Sequence, residues 1–251
     1  MFDVVEFGGS GPGIVLLHGL MGRATTWWPV AQWLVRYGRV VGLDARGHGR
    51  NTHRGGLWRT EDFASDAAAV IRSSDLGPSV VIGHSMGGLH ALVLAALEPS
   101  LVRGVVVEDF APDQRGRTVD PWRAEFSSWP TFQSLAHVRS FFGPVGDYFV
   151  ECFEERPDGY HLIADIEDLY RIAAEWGERD YWPFVDRVQA PLLVIEAEHT
   201  FMPAGQQAAM AARVPDGRHI LVEDAGHLVQ LSAPAVYRGA VEAFLSGLPG
   251  R

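Results

Sequence analysis

Residues 80 to 97 read Val80-Val81-Ile82-Gly83-His84-Ser85-Met86-Gly87-Gly88-Leu89-His90-Ala91-Leu92-Val93-Leu94-Ala95-Ala96-Leu97. A β-branched run ends in Gly-His-Ser-Met-Gly, and an apolar helical pattern follows at once. Gly-x-Ser-x-Gly is a weak signal alone, because small residues at this spacing arise by chance. Between a strand and a helix it becomes specific. A serine there sits on a tight, strained turn that holds its hydroxyl out at the sheet edge, and glycines at 83 and 87 let neighbouring backbone approach. The competing reading is a glycine-rich helix start with an idle serine.

Working outward, the same alternation recurs. Ile14-Val15-Leu16-Leu17, Val40-Val41-Gly42-Leu43, Val105-Val106-Val107, Leu192-Leu193-Val194-Ile195 and Ile220-Leu221-Val222 are short apolar runs. Continuous runs suit parallel strands covered on both faces. Helical patterns span Trp27 to Tyr37, Thr60 to Ser73, Met86 to Leu97, Ala204 to Arg213 and Pro234 to Leu245. Strand and helix in turn predict an α/β fold with a mostly parallel, doubly wound sheet. Residues 112 to 183 break the pattern: no strand-like run is evident and aromatic residues crowd the segment. The expected organisation is a core of residues 1–111 and 184–251 with a helical lid inserted at 112–183.

Composition narrows the chemistry. The chain has 251 residues, 47% of them hydrophobic, and a formal charge of −10. It contains no lysine, which removes a Schiff base, a Walker-type phosphate lysine and any lysine-tethered cofactor. The acidic balance offers no basic face for a nucleic-acid backbone. One cysteine, Cys152, rules out an internal disulfide or a paired-cysteine redox site and reads as a packing residue. No His-Glu-x-x-His or similar spacing suggests a metal site, and no cofactor is expected. The start at Met1-Phe2-Asp3-Val4-Val5-Glu6 lacks a signal-peptide pattern, and no stretch approaches the ~18 apolar residues of a membrane span. A cytoplasmic protein is expected; its oligomeric state is left open.

Two more loops carry candidate chemistry. His18-Gly19-Leu20-Met21-Gly22 follows the first strong strand. Acyl transfer needs N–H donors aimed at the oxyanion of a tetrahedral intermediate, and the backbone N–H groups of Leu20 and Met86 are the natural pair. His18 itself reads as a buried loop-stabilising residue. Gly226-His227 follows the last strand; an imidazole there can take the serine proton and return it to the leaving group. A histidine in a terminal loop is otherwise a surface residue.

His18-Gly19, Asp44-Ala45-Arg46-Gly47-His48-Gly49, Gly83 to Gly88 and Gly226-His227 together resemble the α/β-hydrolase superfamily, most closely its small esterase and lactonase branch. The likeness spans nearly the whole chain, with the lid as the variable part. It implies a Ser85–His227 pair, an oxyanion hole at Leu20 and Met86, a helical cap, and a loop-shaping role for Asp44 to Gly49. One departure stands out. The family's acid commonly follows the penultimate strand, where this chain reads Glu196-Ala197-Glu198-His199-Thr200. Thr200 occupies the acid's place, and a threonine cannot stabilise an imidazolium by charge.

Another acid lies at the end of Val105-Val106-Val107, in Glu108-Asp109-Phe110-Ala111-Pro112. Some lipase-like esterases and the haloalkane dehalogenases place their acid on this loop. Asp109 is the favoured acid, with Glu108 and Glu198 as alternatives. Glu108 and Asp109 leave the strand toward opposite sides, so one of them at most reaches His227. Asp224, on the histidine's own tight loop, reads as a turn former. The bland reading of Glu108-Asp109 is an acidic strand end that begins the lid.

The expected activity is therefore serine hydrolysis of a carboxylic ester or lactone with an apolar portion. Trp122, Phe126, Trp129, Phe142 and Trp182 are candidates for its pocket, although aromatic residues at helical spacing most often form a subdomain's own core. Other branches of the fold stay in view. An aspartate nucleophile is excluded by Ser85. A carbon–carbon hydrolase commonly has tryptophan after the histidine, where this chain has Leu228. A hormone-receptor-like member would keep the triad and turn over slowly.

Overall fold

The computed structural model describes residues 4–51 and 58–249. Met1 to Asp3, part of the stretch read for a leader, lie outside the described residues. In chain order the elements are β1 (Val4–Gly8), β2 (Gly13–Leu17), α1 (Trp28–Leu34), β3 (Arg39–Leu43), α2 (Thr60–Ser73), β4 (Ser79–His84), α3 (Met86–Leu97) and β5 (Val102–Glu108). Then come α4 (Val119–Ser128), α5 (Leu135–Phe142), α6 (Gly146–Val150), β6 (Phe153–Arg156), β7 (Gly159–Leu162), α7 (Ile166–Glu178) and α8 (Trp182–Val185). The chain finishes with β8 (Leu192–His199), α9 (Gln206–Arg213), β9 (Gly217–Gly226), α10 (Val229–Ser232) and α11 (Pro234–Gly247).

Seven strands form one sheet in the order β1-β3-β2-β4-β5-β8-β9, with β1 antiparallel to β3 and the other pairs parallel. The apolar runs are continuous because each strand feeds two layers. On β2, Val15 and Leu17 face a core shared with Phe63, Ala64 and Ala67 of α2 and the buried helix α3. Ile14 and Leu16 face a second core built with Val30 and Leu34 of α1 and Val241, Phe244 and Leu245 of α11. This two-sided burial is the physical content of an α/β sheet. The order also places the site. Connections leave β2 and β4 in opposite directions, and the crevice beyond the carboxyl ends of such strands is where open α/β sheets bind ligands.

Two strand features escape the sequence patterns. β1, Val-Val-Glu-Phe-Gly, is a half-buried edge strand whose apolar residues are interrupted by Glu6, so no continuous run stands out. The segment between β5 and β8 is not wholly helical: β6 and β7 pair as an antiparallel hairpin, Phe153↔Leu162 to Arg156↔Gly159. Its sequences, Phe-Glu-Glu-Arg and Gly-Tyr-His-Leu, are short and polar, so no strand period emerges. A tertiary contact supports it: the Tyr160 N–H donates to the Phe132 carbonyl at 2.7 Å. Among the described residues no helix is long and apolar enough to cross a membrane.

Candidate active site

Ser85 joins β4 to α3 with φ +51° and ψ −119°, a backbone region L-residues rarely adopt. The surroundings hold it there. A Cβ on Gly83 would lie 2.1 Å from the Gly87 carbonyl oxygen, and one on Gly87 would lie 2.1 Å from that of Leu17, so both positions exclude a side chain. The Ser85 N–H donates to the Glu108 carbonyl at 2.8 Å. Met86 opens α3, whose first N–H groups have no partner within the helix.

The loop after β2 abuts this turn. A Cβ on Gly19 would lie 2.7 Å from His84 Nδ1 and 3.4 Å from the Ser85 Cβ. Two buried histidines hold the loop. The Ala45 N–H donates to His18 Nε2 at 3.0 Å, leaving Nδ1–H to donate to the Gly19 carbonyl at 2.8 Å. Burial, with His48 nearby, drives the His18 pKa down to about 3, so His18 is a neutral loop brace. His48 Nε2 contacts the Leu20 carbonyl. Asp44 accepts N–H bonds from Ala24 at 2.6 Å and Arg50 at 2.7 Å, tying the surrounding turns together.

His227 follows β9, and its Nδ1 lies 2.6 Å from Asp109 Oδ2. Asp109 is fully buried with φ +46°. Its Oδ1 accepts from the Ala197 N–H at 3.1 Å and Gln207 Nε2 at 2.9 Å; Oδ2 also accepts from Thr200 Oγ1 at 2.8 Å. Burial pushes the Asp109 pKa up, but the bonds and charge from His227 and the bonds from Gln207 and Ala197 hold it below the ordinary aspartate value. The group is thus an ionised, acceptor-saturated carboxylate on the imidazole.

The other acids point elsewhere. Glu108 is fully buried on the opposite side of the strand end, where its Oε1 accepts the Gln230 N–H at 3.0 Å. Glu198 is exposed and accepts the Asp224 N–H at 2.7 Å. Glu198, His199 and Asp224 bring their ligand-type atoms within 4.8 Å of one another, all exposed. Asp224 has φ +55°. Thr200, in the position where an acid was expected, is a donor to the acid that reaches the histidine.

A cavity of about 380 Å³ adjoins these groups, walled by Met21, Trp122, Trp129, Phe142, Phe149 and Phe201, with Gln114, Arg117, Thr118 and Glu125 among its polar lining. Phe201 links it to the histidine: its ring centroid is 4.5 Å from that of His227 and 6.3 Å from that of Trp122. Met21 continues the loop from Leu20. A larger cleft of about 610 Å³ has Trp28, Asp147, Tyr148 and Glu151 in its wall, and none of its lining residues is Phe201 or His227.

Of the five aromatic residues expected at a pocket, Trp122, Trp129 and Phe142 line the cavity. Two do not. Phe126 is buried between Trp122, Trp129 and Tyr170, inside the packing between α4 and α7. Trp182 stacks under Arg213 of α9 at 4.2 Å, because α8 runs beside α9. Met21, Phe149, Phe201 and Pro203 were missed as lining. Phe201 carried a signal, lying next to the anomalous Thr200.

The match to a family model covers residues 14–240, and that model is described as the alpha/beta hydrolase family. The chain is 26% identical over 247 residues to 2-(acetamidomethylene)succinate hydrolase of Mesorhizobium japonicum, covering 94% of this chain and 89% of the relative. It is 29% identical over 254 residues to an esterase of Mycobacterium tuberculosis, covering 92% and 82%. A solved structure of E-2-(acetamidomethylene)succinate hydrolase superposes with TM-score 0.88 at 24% identity, over 98% of this chain and 95% of the other. An enol-lactonase structure from Burkholderia xenovorans gives TM-score 0.76 at 22% identity, over 98% and 96%. With the sheet order, the strained serine turn and a match across most of its length, the chain belongs to the alpha/beta hydrolase family.

Proposed function

We propose that this chain is a serine hydrolase that cleaves a carboxylic ester or lactone with an apolar acyl portion. The observation that carries the reading is the Asp109 carboxylate on His227 Nδ1 at 2.6 Å, at a strand end whose Glu108 carbonyl accepts the N–H of a serine held on a strained strand-to-helix turn. Ser85 Oγ attacks the carbonyl carbon as His227 Nε2 takes its proton. Asp109 fixes the tautomer that leaves Nε2 free to accept and stabilises the imidazolium that forms. The N–H groups of Leu20 and Met86 bind the oxyanion. His227 then protonates the leaving alkoxide, and water, deprotonated by the same imidazole, cleaves the acyl-enzyme. Residues 112–183 act as a lid over the core of residues 1–111 and 184–251, and the cavity under Trp122, Trp129 and Phe142 takes the apolar portion.

The test is a series of p-nitrophenyl esters from acetyl to decanoyl, with Ser85→Ala as the blank. Ser85-dependent turnover with a preferred chain length is expected. Rates no higher than the blank across the series would sink the reading.

A second reading draws on Arg117 in the cavity wall and on the relative named as a succinate hydrolase: a substrate bearing a carboxylate. Hemi-esters of dicarboxylic acids, run beside neutral esters of equal length, separate the two. Faster hemi-ester turnover that falls in Arg117→Gln selects the second.

A further inference from the structure

Two buried polar side chains beside the proposed triad take no part in it. His84 ends β4 and Glu108 ends β5, and the two are register partners across the parallel pair. Each reaches the segment that carries His227. His84 Nε2 lies 3.0 Å from the His227 carbonyl, so Nε2–H donates, and its ring centroid is 4.7 Å from that of His227. Glu108 Oε1 accepts the Gln230 N–H at 3.0 Å, one residue into α10. Among the described residues, Glu108 Oε2 and His84 Nδ1 have no hydrogen-bond partner.

We propose that Glu108 and His84 are positioning residues that pin the chain at two points just after the His227 side chain, so that Nδ1 meets Asp109 and Nε2 is presented to Ser85. This rests on the triad reading above. On either side of His227 the backbone is tied to α10, Gly226 N–H donating to Ser232 Oγ at 3.2 Å and the Leu228 carbonyl accepting from Ser232 Oγ at 3.0 Å, while α10 itself is only four residues long. Fastening the His227 carbonyl and, three residues later, the Gln230 N–H fixes where α10 and the turn tied to it sit, and with them the direction of the ring. Near-attack geometry is demanding, and a displacement of about 1 Å can cost ~10²-fold in rate.

Both residues act uncharged. Burial, with the Asp109 charge adding to it, pushes the Glu108 carboxyl well above the usual range. Burial and the neighbouring His227 push the His84 imidazole well down. Facing Glu108 are Asp109 on the same strand end, the N–H groups of α10, Tyr148 of α6, and Tyr237 of α11, whose buried hydroxyl has no hydrogen-bond partner among the described residues. A neutral carboxylic acid offers a carbonyl oxygen to an N–H much as an amide does. Glutamine should therefore serve in its place.

The experiment compares Glu108→Gln, Glu108→Leu and Asp109→Asn for kcat and KM on the best p-nitrophenyl ester. It also records the downfield proton resonance of the His227 Nδ1–H, which needs no substrate. Glu108→Leu should lower kcat about 10- to 100-fold with KM little changed, and shift or broaden that resonance. Glu108→Gln should stay within about threefold and keep the resonance. Wild-type kcat with an unmoved resonance in Glu108→Leu overturns the clamp. So does a Glu108→Gln as impaired as Glu108→Leu, because a charge would then be needed. An inactive Glu108→Gln beside an active Asp109→Asn would instead remove Asp109 from the triad. Should Glu108→Leu not fold, His84→Phe keeps a ring over His227 but loses the donor. It should show the same kcat loss and resonance shift, and wild-type values there overturn the clamp.

Discussion

Asp109 is bonded by His227, Thr200, Gln207 and the Ala197 N–H, and each contact predicts something measurable. Asp109→Asn should lower kcat by about 10⁴-fold, because an amide cannot hold the productive tautomer or offset the imidazolium charge. Steady-state rates on a folded variant check this. The depressed Asp109 pKa also stabilises the fold. That contribution is present above the ordinary aspartate value of about 3.9 and is lost as pH falls through the lower folded value. Wild type should therefore exceed Asp109→Asn in Tm at neutral pH, with the gap closing in strong acid. Thr200→Val removes one bond to a charged acceptor, and about tenfold in kcat is expected, in line with ~1.5 kcal/mol for such a bond. Glu108 has the opposite sign. Its folded pKa is raised, so the unfolded chain releases the proton first, and stability is lost as pH rises above about 4.3. Glu108→Gln should match wild type in Tm near pH 4 and exceed it as pH rises from there toward the folded value.

The elements around Ser85 explain why its strain persists. The β4–α3 turn is enclosed by the Leu17 carbonyl on one side and the Glu108 carbonyl on the other. Gly87→Ala would place a methyl 2.1 Å from backbone that belongs to a central strand and cannot move away. Loss of roughly 3 kcal/mol or more, or failure to fold, is expected from such overpacking. Gly205, at the start of α9, makes the control. Its φ is +76° and nothing lies within 4 Å of an added Cβ, so Gly205→Ala meets backbone strain alone and should cost only ~1 kcal/mol. Denaturant unfolding of the two variants tests the contrast. A Gly87→Ala variant no less stable than Gly205→Ala would contradict this account of the turn.

At the scale of the whole molecule, the segment between β5 and β8 is tied to α2 at one end and borders the cavity at the other. Arg179 pairs with Glu61 of α2 at 2.6 Å, and Glu175 accepts from the Thr60 hydroxyl at 2.7 Å, anchoring α7 across the N-terminus of α2. At the other end, Trp122 and Trp129 face Phe201 and Met21 of the core across the cavity. The preferred acyl length should depend on both sides of that wall. Trp122→Ala should raise KM for long p-nitrophenyl esters several-fold while leaving acetyl ester kinetics near wild type, since a short acyl group does not reach the ring. Equal effects on short and long esters would place the acyl group elsewhere.

Sequence alone determined the alternation of strands and helices and the strained serine turn, and it placed Thr200 where the family's acid is usual. These are local or periodic properties: β-branched runs, small residues around Ser85, and a missing carboxylate in a recognisable loop. The helices Thr60–Ser73 and Met86–Leu97 were legible to the residue for that reason. What depended on contacts distant in sequence was not. Asp109 and Glu108 are adjacent, and only the direction in which each leaves β5 separates a partner of His227 from a tether of α10. Thr200 as a donor to Asp109, Phe201 against His227, and Trp182 drawn to α9 all follow from how β5, β8 and β9 lie side by side. The hairpin β6–β7 is too short and polar to show a period, and its pairing was decided by the packing that brings Tyr160 to Phe132.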